Sequence, residues 1–204
     1  VITLTAFLST GIIDGLNANL FHGILICLAV GAAIGFANSL SVLFLKIPPI
    51  IATLAMGYIL TTATLIYNEG FAAFKISPFL QTLSRGRIAG IPWIIILVAA
   101  LGAVAAFVMH RTAYGRRLTA VGQNIEAAHL AGVDTNRTQM FAYIISGIFS
   151  GFAGVLIAAR VGGAFLGMGD TYLLETVGAV VIGGTLIFGG RSTIVGTLFG
   201  CLFL

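Results

Sequence analysis

The sequence predicts an all-α fold, a polytopic transmembrane helix bundle, and three observations carry that prediction. Hydrophobic residues make up 59% of the 204-residue chain and charged residues only 8%, where a soluble domain carries about a quarter charged residues. Mean hydropathy is +1.11. The few charges gather at the ends of apolar runs, which divide the chain into about six to seven spans. With that composition the unit of organisation is the membrane-spanning helix, so residues 1–204 are expected to form a single transmembrane domain lying in a lipid bilayer. The formal charge of +4 and pI near 9.4 report membrane orientation and exclude a nucleic-acid partner, because the cations sit at segment ends.

Taken in order, Val1 to Ile13 is apolar but too short to span, and Asp14 with the Gly15–Asn19 turn closes it as the tail of a helix. Ala18 to Leu45 exceeds what a hydrocarbon core of roughly 30 Å requires at about 1.5 Å per residue, so it tilts or projects. Gly31, Gly35 and Asn38 mark its packed face. Lys46 ends that run, and Pro48-Pro49 opens the next, from about Ile50 to Tyr67, because proline suits a first helical turn. Residues 68–91 form a mixed loop with a short interfacial helix at Pro78–Leu83, and Trp93 fits an aromatic belt at the start of the span from Ile94 to Met109. The chain returns through Met140 to Ala159, where Gly147, Gly151 and Gly154 permit close helix approach. After a Gly-rich loop from Arg160 to Tyr172, the apolar stretch Leu173–Phe188 is interrupted at Gly183-Gly184, and a last segment with Gly196-x-x-x-Gly200 starts at Ile194. Neither end carries a secretory signal pattern. The chain stops inside an apolar run at Cys201–Leu204 and is expected to be a fragment cut at both ends.

The one long polar interval is 111–137. It holds Arg111, Arg116, Arg117 and Arg137, four of the ten Lys and Arg residues. Within it Gly122 to Gly132 is expected to form a two-turn helix, with Asn124 as N-cap, Glu126 near the positive end of the macrodipole and Gly132 in the left-handed position past the C-terminus. Ile125, Ala128 and Leu130 give this helix apolar surface that so short a rod cannot bury alone. It either docks on another protein or on the membrane surface, or it lies on its own bundle.

Residues in this interval carry a resemblance. Glu126-Ala127-Ala128, three residues and Gly132 resemble the EAA-x3-G signature of ABC importer permeases. The wider run Tyr114–Val133 is similar to ribose-type (monosaccharide) permeases, in which G-R-x-x-x-A-x-G-x-N leads into A-A-x-x-x-G. Lys46–Leu54, K-I-P-P-I-I-A-T-L, resembles that family's K-x-P-P-F-I-x-T-L, and Val180–Gly190 resembles its V-V-I-G-G-T-x-L-x-G-G. The I-x-L-P tail of other importers is missing, with Ala142 where its Ile would stand, which fits the ribose type; Ile50 replaces the usual Phe. The resemblance implies a permease subunit of the bacterial inner membrane that moves a monosaccharide by alternating access. It also implies the partners: cytoplasmic ATP-binding subunits, a second permease subunit in a homo- or heterodimer, and an extracytoplasmic solute-binding protein. Arg116, Arg117, Gly122, Asn124, Glu126, Ala127, Ala128 and Gly132 are the residues expected to couple the chain to the ATPase.

Alternating the spans places Lys46, Arg111, Arg116, Arg117, Arg137 and Arg191 on one side and the smaller set Lys75, Arg85, Arg87 and Arg160 on the other. The richer side is expected to be cytoplasmic, which puts the 111–137 coupling loop there. The sequence holds no G-x-x-x-x-G-K-[ST], H-E-x-x-H or G-x-S-x-G pattern, so no catalytic residue, metal or cofactor is expected and the chain is not expected to be an enzyme. Cys27 and Cys201 lie in apolar runs without metal or disulfide spacing, and His22 and His129 are lone and interfacial. For the translocation pathway the candidates are Asn38, Pro48, Pro49, Thr53, Gly183, Gly184 and Thr185, with Tyr58, Thr61, Thr62, Thr64 and Ser146 as further polar residues inside spans. Hydroxyls bonded back to their own helix, an asparagine joining two helices and close helix packing explain the same residues. A secondary transporter predicts ionisable residues in mid-span, and the charges here lie at segment ends. Branched-chain amino-acid uptake, performed by related permeases, is the nearer alternative to sugar.

Overall fold

A computed structural model of the protein describes residues 1–13, 19–67, 76–88, 90–186, 189 and 193–204. The expected turn at Asp14, the 68–75 part of the mixed loop with Glu69 and Lys75, and Gly190 and Arg191 lie outside the described residues. The elements run α1 (Ile2–Ile13), α2 (Leu20–Leu43), α3 (Pro49–Tyr67) and α4 (Pro78–Arg85), then the strands β1 (Arg87–Ile88) and β2 (Ile91–Pro92). They continue with α5 (Trp93–Arg111), α6 (Ala113–Gln123), α7 (Ile125–Leu130), α8 (Thr135–Val161), α9 (Thr171–Ile182) and α10 (Ile194–Phe203). The strands form one antiparallel pairing of Arg87 with Pro92 and Ile88 with Ile91. The fold is therefore a polytopic helical bundle. Among the described residues α2, α3, α5 and α8 are long and apolar enough to cross a membrane, and α1, α9 and α10 are apolar but shorter. The expected six to seven spans thus divide into four full-length helices and three short ones.

Local chemistry sets the boundaries. Lys46 adopts a left-handed backbone, φ 54°, just past the end of α2, and Pro49 then supplies the fixed φ of a first helical residue for α3. In α4 the Ser77 hydroxyl accepts the Phe79 N–H at 3.2 Å ahead of Pro78, and Leu80 turns inward. The short helix expected at Pro78–Leu83 is thus present and runs on to Arg85.

The chain divides into two compact units, residues 1–93 with 140–169, and residues 94–139 with 170–204. In the first, Phe7, Ile13, Cys27, Leu80, Val155 and Met168 form the core. The buried hydroxyls of Ser9 and Thr10 donate to their own helix, to the carbonyls of Ala6 at 2.7 Å and Phe7 at 2.8 Å. Glycines bring α2 and α8 into backbone contact: a Cβ on Gly31 would strike the Gly147 carbonyl oxygen, one on Gly35 the Tyr143 oxygen, and one on Gly151 would lie 2.8 Å from the Cys27 oxygen. Gly31 and Gly35 of α2 are therefore packed against Gly147 and Gly151 of α8, whereas Gly154, expected on the same face, lies against Thr5 and Ile2 of α1.

In the second unit α9 ends early. Gly184 is left-handed, φ 78°, its N–H donates to the Val181 carbonyl at 2.9 Å, and the Thr185 N–H donates to Val180 at 3.1 Å. That is a paired C-terminal stop of the Schellman type, which the two adjacent glycines make available. Helix α10 returns along α9, with Gly196 against the Gly183 carbonyl and Gly200 against that of Ala179. Gly102 of α5 lies close to Leu198 of α10.

Candidate functional site

The polar interval 111–137 folds into three linked pieces. Thr112 caps α6 by accepting the Gly115 N–H at 3.3 Å, and Gly115 sits so close to the Met109 carbonyl that a side chain there would collide with it. The chain thus turns sharply from α5 into α6. Tyr114, Leu118 and Val121, spaced i, i+4, i+7, are the covered side of α6, while Arg116 and Arg117 are exposed. The Tyr114 hydroxyl donates to the Thr138 carbonyl at 3.3 Å and so ties α6 to the start of α8. Burial pushes the Tyr114 phenol up, which keeps that proton in place.

Asn124 is the junction of the interval. Its backbone is extended, φ −158° and ψ 115°. Its N–H closes α6 on the Ala120 carbonyl at 3.1 Å, and its side-chain Oδ1 accepts the Ala127 N–H at 3.0 Å to open α7. The other end of α7 is stopped by Gly132, φ 81°: the Gly132 N–H donates to His129 at 2.9 Å and the Val133 N–H to Ala128 at 3.0 Å. A six-residue helix is thereby capped at both ends. Ala128 is buried, whereas Ile125 is 53% and Leu130 88% exposed. Beyond it, Asp134 opens α8, its Oδ1 accepting the Arg137 N–H at 3.0 Å, and Oδ2 pairs with Arg137 Nε at 3.0 Å in the open.

The expected N-cap, acidic first turn and left-handed glycine are all where the sequence placed them. The helix expected between the Asn124 cap and Gly132 is α7; what the sequence reading did not include is that the extended Asn124 also ends a preceding helix, α6. Gly122 accordingly belongs to the last turn of α6. Helix α6 itself went unpredicted, although the Tyr114–Leu118–Val121 spacing carries its signal. All eight coupling candidates lie on this one segment: Arg116, Arg117 and Gly122 on α6, Asn124 at the junction, Glu126, Ala127 and Ala128 on α7, and Gly132 at its stop.

The pathway candidates divide between the units. In the first, Asn38 lies on α2 with its side-chain oxygen buried and without a hydrogen-bond partner; Pro48 precedes α3 and Pro49 begins it. Thr53 is exposed and its hydroxyl is directed to the Pro49 carbonyl at 2.9 Å and that of Ile50 at 3.2 Å. Thr61 and Thr64 likewise donate to Gly57 at 3.0 Å and Leu60 at 2.7 Å. In the second unit Gly183, Gly184 and Thr185 form the stop of α9.

Comparison with known proteins places this architecture. The family model described as "Branched-chain amino acid transport system / permease component" matches residues 1–204. The chain belongs to that family. It is similar to the ribose import permease protein RbsC of Escherichia coli (strain K12), 31% identical over 210 residues covering 100% of this chain and 64% of the relative. RbsC of Bacillus subtilis (strain 168) is 37% identical over 78% of this chain and 50% of its own length, and the fructose import permease protein FrcC of Rhizobium meliloti is 37% identical over 87% and 51%. The chain thus spans half to two thirds of the length of these relatives. No solved structure gives a significant match. The relatives are transport permeases, and, like the family to which it belongs, this chain is a multi-pass integral protein of the bacterial inner membrane.

Proposed function

We propose that this chain is the membrane-spanning core of the permease subunit of an ATP-binding-cassette importer, and that α7 is the element through which an ATP-hydrolysing partner drives it. The observation that carries this reading is α7 itself. A six-residue helix is fixed at both ends by Asn124 and Gly132, yet it holds Leu130 and Ile125 out of its own fold. Exposed apolar side chains on a rigid rod are the form of a docking element. Arg116 and Arg117 flank it and are exposed, which suits acidic or nucleotide-bearing surroundings. The basic count of the segment ends supports placing it in the cytoplasm. The chain then contributes no catalytic group; energy enters as rotation of the rod and leaves as rearrangement of the spans around a solute.

A small polar solute fits this reading, and the relatives named for ribose and fructose import support a monosaccharide over the branched-chain amino acids of the family's description. Asn38, Pro48, Pro49, Thr53, Gly183, Gly184 and Thr185 are the proposed pathway residues. Of these, Asn38 has the strongest support, because its buried carbonyl oxygen lacks a protein partner and a sugar hydroxyl is a donor of the right kind. The remaining parts of the assembly would be a second permease subunit, paired as homo- or heterodimer, and an extracytoplasmic solute-binding protein. The single-domain organisation of residues 1–204 is part of the same proposal. Leu130→Asp together with Ile125→Asp, made in the full-length permease, tests it: the ATP-binding subunits should no longer copurify while membrane insertion persists. Undiminished copurification would contradict the docking role.

A further inference from the structure

We propose that Gly189 is locked onto the end of α6, so that α6, α7 and the α9–α10 hairpin move as one body when the coupling segment is driven. The inference rests on the coupling role assigned to α7 above, and deepens it by naming the part that the rod moves first.

The contact is specific. Gly189 is left-handed, φ 89°, and its N–H donates to the Leu186 carbonyl at 3.2 Å. A Cβ built there would lie 2.6 Å from the Gly122 carbonyl oxygen, 3.5 Å from its carbon and 3.7 Å from its Cα. Backbone therefore meets backbone, with no side chain between to yield. Gly122 is in the last turn of α6, two residues before the Asn124 that opens α7. A displacement of α7 reaches that carbonyl through Gln123 and the extended Asn124.

On the far side of the contact the hairpin is cross-tied. The Thr193 hydroxyl donates to the Gly183 carbonyl at 2.6 Å, and the Thr193 N–H donates to Thr185 Oγ1 at 3.4 Å. The Thr197 hydroxyl donates to the Thr193 carbonyl at 3.0 Å, and Thr185 and Thr197 hydroxyls lie 3.5 Å apart. Backbone contacts between Gly196 and Gly183, and between Gly200 and Ala179, continue the tie along both helices. Close-packed backbones transmit displacement because they have no soft side chain to absorb it. Gly183, Gly184 and Thr185 thus acquire a mechanical task besides any contact with solute, and the Gly189 left over from the glycine motif acquires a reason.

The test uses the full-length permease reconstituted with its ATP-binding subunits and spin labels at Gln123 and Val195. Pulsed electron–electron distances are recorded without nucleotide and with ATP trapped, and ATP-driven uptake is measured on the same preparation. The account expects the Gln123–Val195 distance to change by less than about 2 Å between the two states, the scale of small interface adjustments. A larger change while uptake remains ATP-driven overturns the lock and leaves the coupling role of α7 standing. Uptake that proceeds without the ATP-binding subunits overturns the coupling role instead. In a second arm, Gly189→Ala places a methyl group against the Gly122 oxygen on a backbone that disfavours it, and uptake should fall by about tenfold or more. Wild-type uptake in that variant would overturn the proposal; the label distances do not depend on how that variant folds.

Discussion

Asn124→Ala isolates one hydrogen bond and makes its consequence measurable. In the native chain Asn124 Oδ1 accepts the Ala127 N–H at 3.0 Å, the one side-chain bond that opens α7. Alanine removes it, and such caps contribute about 1 kcal/mol. At that size the locally opened state of α7 becomes roughly fivefold more populated. Helix α6 provides an internal control, because its C-terminal bond uses the Asn124 backbone N–H, which alanine retains. Hydrogen–deuterium exchange by mass spectrometry on the full-length permease in lipid discs reads both segments. The amides of 125–131 should exchange about fivefold faster in Asn124→Ala while those of 113–123 keep their rate, and Asn124→Ser, which keeps an accepting oxygen, should restore most of the protection. Unchanged exchange over 125–131, or a loss as large with serine as with alanine, would refute the claim that this side-chain oxygen holds the rod in shape.

Two further outcomes follow from the packing. Gly147→Val drives a side chain into the Gly31 carbonyl, an overpacking that should cost about 1–3 kcal/mol and lower the thermal unfolding midpoint in detergent; Gly57→Ala, where a Cβ meets nothing within 4 Å, should leave that midpoint unchanged or raise it. Asp134→Asn keeps the oxygen that caps α8 and loses the exposed pair with Arg137, so stability should fall by less than about 1 kcal/mol. Asp134→Ala loses the cap as well and should fall further in the same unfolding assay.

What the sequence made legible was what local chemistry decides alone. Long apolar runs have to be helices in lipid, and an Asn–Glu pairing with a glycine eight residues on is enough to start and stop α7. Helix α6 was missed because its covered side is three residues set among glycine and arginine. What fixes it is the sharp turn that brings Gly115 against Met109 and the longer-range Tyr114 bond to Thr138. The start of α8 was placed late, at Met140, because hydropathy marks the apolar part of a helix, whereas the polar turn from Thr135 is set by the Asp134 cap. Glycine steps at 31, 35, 147 and 151 announced close packing, but only coordinates pair α2 with α8. The same holds for Gly189, whose partner Gly122 lies far off in sequence.

On the function proposed above, movement of the spans is imposed through α7 by a separate ATP-hydrolysing subunit. The most direct test is radiolabelled ribose or fructose uptake into vesicles that hold the full-length permease and its solute-binding protein, with the ATP-binding subunits either present or left out. The account predicts uptake that follows ATP when those subunits are present and only leak when they are absent. Uptake at an equal rate by the permease without them would contradict it.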